Sequence, residues 1–185
     1  MSKEEQLSEK DVAAPLVIEV AIDLRLLLRS SEVGESMDGP DSETVAGISK
    51  ITQAFSDKAA FIALQPSERW HVMRWLLAHD LFSKFRVTPE RFLFFKRHVD
   101  IQHFFVTTPG CRFVVSGNEA RLSRLAGLRI KRLLVRPGFN AETRRDGLMR
   151  NVVQVPDYDT LYRVLTGNEA EVVTHSNGKE RTASI

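Results

Sequence analysis

The chain has 185 residues and a mass of 21.0 kDa, the length of one ordinary domain with room for a core that needs no staples. With 43% apolar and 27% charged residues, it is not composed like a disordered chain, and no uncharged apolar run approaches the ~18 residues of a membrane span. The opening MSKEEQLSEKDV is too polar for a secretory leader, and the single cysteine, Cys111, leaves no internal disulfide or cysteine-based zinc site. A cytoplasmic protein without membrane insertion is expected.

The net charge of +2 hides an uneven distribution. Residues 1–50 hold 11 acidic and 5 basic side chains, whereas 84–136 holds twelve Lys/Arg against Glu90, Asp100 and Glu119. A basic block inside a folded segment points to a polyanionic partner, although a solvated face of surface cations gives the same count.

In chain order, residues 1–11 read as a tail. LVIEVAI (16–22) is rich in β-branched side chains and reads as a buried strand, with a helix over 15–29 as its competitor. SSEVGESMDGPDS (30–42) is a loop. Over 43–64, Val45, Ile48, Ile51 and Phe55 recur at helical spacing, and one helix is expected. Ser67 is the expected N-cap of a helix over ERWHVMRWLLAHDLF (68–82), with Trp70, Met73, Leu77 and Leu81 as its apolar stripe. TPERFLFFKRH (88–98) reads as another helix, with Thr88 as N-cap and Pro89 in the first turn.

The period then changes. DIQHFFV (100–106) and CRFVVSG (111–117) flank TTPG and read as a β-hairpin. NEARLSRLAG (118–127) reads as a helix closed by Gly127, and LRIKRLLVR (128–136) as a strand. AETRRDGLMR (141–150) is expected to be a short helix, NVVQV (151–155) a strand, DYDTLYRVL (157–165) a helix and AEVVTH (170–175) a last strand, before a loose tail over 176–185. The sum is an α/β (α+β) chain: a strand and helical elaboration over 12–87, then a core over 88–175.

The candidate chemistry gathers at the junction after CRFVVSG. Gly117 between strand and helix lets backbone approach a ligand closely. A helix beginning at Asn118 would aim N–H groups at a phosphate. Arg121 and Arg124, three apart, could neutralise it, and Glu119 among these cations could hold Mg²⁺ or orient a water. His71 and His79 are too far apart on one helix to share a metal. A His98/Asp100/His103 metal site is the weaker reading beside ordinary histidines, and Cys111 reads as an inert small hydrophobe. Walker A, GxGxxG, HExxH and nucleophile-elbow patterns are absent.

The unit DIQHFFV–TTPG–CRFVVSG–NEARLSRLAGL–RIKRLLVR (100–136) resembles the ParB/sulfiredoxin-fold family, with Gly117 as its motif glycine. The resemblance implies a small mixed sheet with flanking helices. Asn118 stands where sulfiredoxin chemistry needs a cysteine, and too little chain follows Arg136 for a partition protein's DNA reader. The likeness is therefore to a stand-alone bacterial member that blocks conjugative transfer. It implies a nucleoside triphosphatase and DNase using ATP or another NTP with Mg²⁺. Glu119 and Arg121 would be catalytic, with Glu119 on the metal, and Gln102, Ser116, Gly117, Asn118 and Arg124 would bind the nucleotide. Arg97, Lys131, Arg132, Arg144 and Arg145 would contact DNA. A type IV secretion coupling protein or a relaxase–DNA complex would be the partner. A non-catalytic DNA- or protein-binding inhibitor on the same fold is the alternative.

Overall fold

The computed structural model describes residues 17–27, 39–64, 69–108, 110–136 and 152–168. Six strands form one sheet: β1 (Val20–Asp23), β2 (Ala59–Leu64), β3 (Phe92–Phe95), β4 (Phe113–Ser116), β5 (Lys131–Val135) and β6 (Val152–Val155). Their order is β3-β2-β1-β4-β5-β6, and every neighbouring pair is parallel. The helices are α1 (Ser42–Phe55), α2 (Arg69–Ala78), α3 (Leu81–Phe85), α4 (His98–Thr107), α5 (Glu119–Ser123) and α6 (Tyr158–Thr166).

Parallel strands need crossovers, and helical crossovers cover the sheet on both faces. Strand alternation sorts the side chains between two cores. Val20, Ile22, Phe61, Val115 and Leu133 pack with α1, α2, α3 and α6. Ala21, Ala60, Ile62, Val114 and Leu134 pack with Ile101 and Phe105 of α4 and Leu122 of α5. β1, in the middle, is buried along its whole length, so any polar side chain on it must find partners inside the protein.

The strand reading of the LVIEVAI run holds from Val20 onward, with the strand running on to Asp23, and β4, β5, β6 and α6 fall where strands and a helix were expected. Three expectations are corrected. The helix expected over 43–64 stops at Phe55, where Ser56 takes φ +48°; its last six residues become β2, because AAFIAL is an apolar run with no period to separate strand from helix, and β1 and β3 flank it. TPERFLFFKRH makes one 3₁₀ turn over Pro89–Arg91 and then β3. Phe92 stacks on Phe61 of β2 with ring centroids 4.7 Å apart, a contact a local helix could not make. DIQHFFV lies in α4, started by the Asp100 carboxylate accepting the Arg97 backbone N–H at 3.0 Å. The hairpin is therefore a helix-to-strand connection, and the mixed sheet is a parallel one.

The helix over 68–82 breaks where Asp80 takes φ +54°. Its buried face carries Val72 and Leu76, while Leu77, expected inside, is 67% exposed. The sheet draws β1 and β2 from 12–87 and the other strands from 88–175, so both segments share one structure. Ser67, the helix at 141–150, the strand at 170–175 and both expected tails lie outside the described residues.

Candidate functional site

In a doubly wound parallel sheet, the crevice beyond the strands' carboxyl ends, where the winding reverses, is where ligands gather. Here the reversal lies between β1 and β4. β1 ends there in Asp23, which is fully buried. Its Oδ1 accepts from Arg121 Nη1 at 2.6 Å and from the Arg25 backbone N–H at 3.1 Å, and its Oδ2 accepts from the Ser116 hydroxyl at 2.6 Å. A carboxylate in this position is tolerable because its charge is paired and both oxygens are bonded.

The β4–α5 junction is spent on holding Arg121. Ser116 Oγ accepts the Asn118 N–H at 3.0 Å, and Asn118 Oδ1 caps α5 by accepting the Arg121 N–H at 3.0 Å. Those amides are thus taken up within the protein, and α5 has only five residues. A Cβ on Gly117 would meet Leu26 Cδ2 at 3.1 Å, so the glycine serves close packing against the chain leaving β1.

Arg25 and Arg124 bring two further guanidinium groups to this edge, both exposed. Burial lowers the pKa of Arg121, Asp23 pulls it back up, and the charges of Arg25 and Arg124 add to the lowering; an arginine stays charged through this. At the start of α4, burial and then the charges of Arg124, Arg121 and Arg25 hold His98 below the ordinary histidine value. Gln102 Nε2 donates to the Arg124 carbonyl at 2.5 Å, fixing α4 against the end of α5.

Of the residues singled out from the sequence, Ser116, Asn118 and Arg121 meet around Asp23, with Arg124 and Gln102 beside them. Glu119 faces Arg136 instead, at 2.6 Å. Of the five basic residues expected on DNA, the three that are described do not share one face. Arg97 pairs with Asp100 at 2.9 Å. Lys131 opens β5 at the opposite, amino edge of the sheet. Arg132 is buried, its Nη1 donating to the Leu122 carbonyl at 3.2 Å. Arg144 and Arg145 lie outside the described residues. Asp23 and Arg25 were passed over in the sequence; a lone carboxylate closing a β-branched run, with a cation two residues on, was the signal for them.

At the amino edge a cleft of about 660 Å³ is lined by Arg112, Arg129, Lys131 and the end of α6. Arg112 is already held by Glu19 at 2.7 Å. Cys111 also borders this cleft, and burial pushes its thiol up to about 11, which suits an unreactive core residue.

Neither the known protein families nor the curated protein sequences match this chain. Solved structures do match, at the level of fold. The D,D-heptose 1,7-bisphosphate phosphatase of B. bronchiseptica, complexed with magnesium and phosphate, is similar over 82% of this chain and 100% of its own, with a TM-score of 0.54 and 14% identity. The corresponding phosphatase of Burkholderia thailandensis covers 80% of this chain and 98% of its own, with a TM-score of 0.50 and 18% identity. The chain has the fold of these phosphatases.

That finding overturns the ParB/sulfiredoxin resemblance. The nucleotide-driven DNA cleavage, the fertility inhibition and the ATP inferred through the resemblance fall with it, as does the non-catalytic inhibitor offered as its alternative. The physical reason is topological: the quoted motif order needs a hairpin before CRFVVSG, and the chain has α4 there. Among the described residues no helix is long and apolar enough to cross a membrane.

Magnesium in the first neighbour sets a test for this site. The ion wants octahedral oxygen ligands, commonly one or two carboxylates with phosphate and water. Here Asp23 and Glu119 each face a guanidinium at 2.6 Å. Among the described residues no three His, Cys, Asp or Glu side chains gather to hold a metal. Asp100, the carboxylate of the weaker histidine reading, is taken by Arg97. These residues do not fit a magnesium ion.

Proposed function

We propose that this chain binds a phosphorylated small molecule at the carboxyl edge of its sheet, between β1 and β4. One observation carries the reading: at the topological switch point Arg121 is bonded to the buried Asp23 carboxylate, which also accepts the Arg25 backbone N–H, and the charges of Arg25 and Arg124 act on that same arginine. The cluster has positive charge to spare, at the place where this architecture receives its ligands. Guanidinium groups recognise phosphate with paired, directional hydrogen bonds. The likeness in fold to two sugar-phosphate phosphatases supports the same ligand class.

The test is thermal unfolding of the purified chain with a sugar phosphate, with the same sugar lacking phosphate, and with inorganic phosphate. Phosphorylated ligands should stabilise saturably, by about 2.7 kcal/mol at a hundredfold excess over Kd, and the bare sugar should not. Equal effects of sugar and sugar phosphate, or none, would refute the reading. Hydrolysis is a second reading, favoured by the phosphatase fold. In it Asp23 would have to leave Arg121 to reach a phosphorus atom, and release of phosphate from the sugar phosphate would reveal it.

A further inference from the structure

The site's charge arrangement goes further than ligand class, and the following step rests on the phosphate reading above. A phosphate dianion beside a buried carboxylate needs intervening positive charge, which a divalent cation commonly supplies. In this chain a side chain already holds that place. Arg121 reaches from α5 across the β1–β4 boundary and bonds Asp23 at 2.6 Å, with 8% of its side chain exposed. Its backbone is fixed by Asn118, and the carboxylate is fixed from the other side by Ser116. The cation is thus part of the fold and is put in place when the chain folds. Arg25 and Arg124 differ from it: both are exposed, and among the described residues neither guanidinium has a hydrogen-bonding partner.

We propose that this is a metal-independent phosphate site, in which Arg121 screens Asp23 as a positioning residue while Arg25 and Arg124 grip the phosphate. The division of labour follows from burial. Arg121 is buried and its charge is matched by Asp23, whereas the two exposed guanidinium groups are open to an oxyanion. A divalent ion offered to this site would have to displace Arg121 from Asp23 and leave that arginine buried without its counter-charge.

Titration calorimetry with inorganic phosphate on the full chain tests this, once in excess EDTA and once in excess MgCl₂. The expected result is the same Kd in both, within about twofold, and a loss of about tenfold for each of Arg25→Gln and Arg124→Gln, one charge-assisted contact's worth. Both substitutions are at exposed positions, and unchanged unfolding midpoints without ligand would show that the fold is intact. Phosphate binding that appears only with Mg²⁺ would overturn the inference and leave the phosphate reading standing. Binding indifferent to both substitutions would overturn the assignment of the two gripping arginines. Absence of phosphate binding under both conditions would overturn the phosphate reading, and the metal-independent site with it.

Discussion

Asp23 and Arg121, 98 positions apart in the chain, form an ion pair of 2.6 Å at the carboxyl ends of β1 and β4, with side chains 1% and 8% exposed. The pair joins the two strands at which the sheet's winding reverses. It also sets the electrostatics of the site, since it cancels the carboxylate there and leaves Arg25 and Arg124 in excess.

Breaking this pair from one side should be severe. Arg121→Met leaves Asp23 buried without its counter-charge, for which about 3–5 kcal/mol is the expected loss in urea unfolding. Asp23→Leu combined with Arg121→Met removes both charges and should recover a large part of that loss. A double variant as unstable as the sum of the two single ones would show that the residues do not act as a pair.

His98 should report on the arginines. Its folded-state pKa lies below the ordinary value through burial and the charges of Arg124, Arg121 and Arg25. The unfolded chain therefore takes up its proton first as pH falls. The associated stability is present above about pH 6.5 and declines as pH drops through the folded value. An NMR titration should find the His98 midpoint below 6.5. It should rise in Arg124→Gln, and rise again when phosphate fills the site. A midpoint that ignores both changes would place the arginine charges elsewhere.

Gly47 sits in α1 against Tyr158 of α6, and a Cβ there would overlap the tyrosine's Cβ and Cγ. Alanine would ordinarily strengthen a helix by up to about 1 kcal/mol. Here Tyr158 is buried and its hydroxyl lies 3.2 Å from Thr44 Oγ1, so it has little room to give. Gly47→Ala should cost about 1–3 kcal/mol in equilibrium unfolding, as overpacking does. A more stable alanine variant would mean that α1 and α6 are not in this contact.

The two leucines side by side in α2 separate the helix face read from the sequence from the one the fold uses. Leu76 is fully buried and Leu77 is 67% exposed. Leu76→Ala should cost about 2–5 kcal/mol, and Leu77→Ser should stay within about 0.5 kcal/mol. Urea midpoints for the pair decide it; equal losses would return Leu77 to the interior.

Some elements were legible because their information is local. VAID, FVVS and KRLLV carry β-branched or apolar runs too short for helices, and DYDTLYRVL carries its own cap: Asp157 accepts the Thr160 N–H at 2.6 Å. The functional edge was half legible. Ser116, Asn118 and Arg121 stood out from the glycine junction, whereas Asp23 looked like the polar end of an apolar strand. Nothing within a few residues of Asp23 announces its partner, which arrives only when β4 is laid beside β1.

What the sequence determined by itself was therefore composition, the α/β alternation and the basic middle segment, all properties of neighbouring residues. The tertiary structure decided which apolar runs became strands. AAFIAL and FLFF have no period of their own, and each is extended because a parallel neighbour supplies its backbone hydrogen bonds. It also decided the site. A buried charge is stable only where its counter-charge is brought to it, and for Asp23 that charge comes from a helix on the other side of the winding reversal.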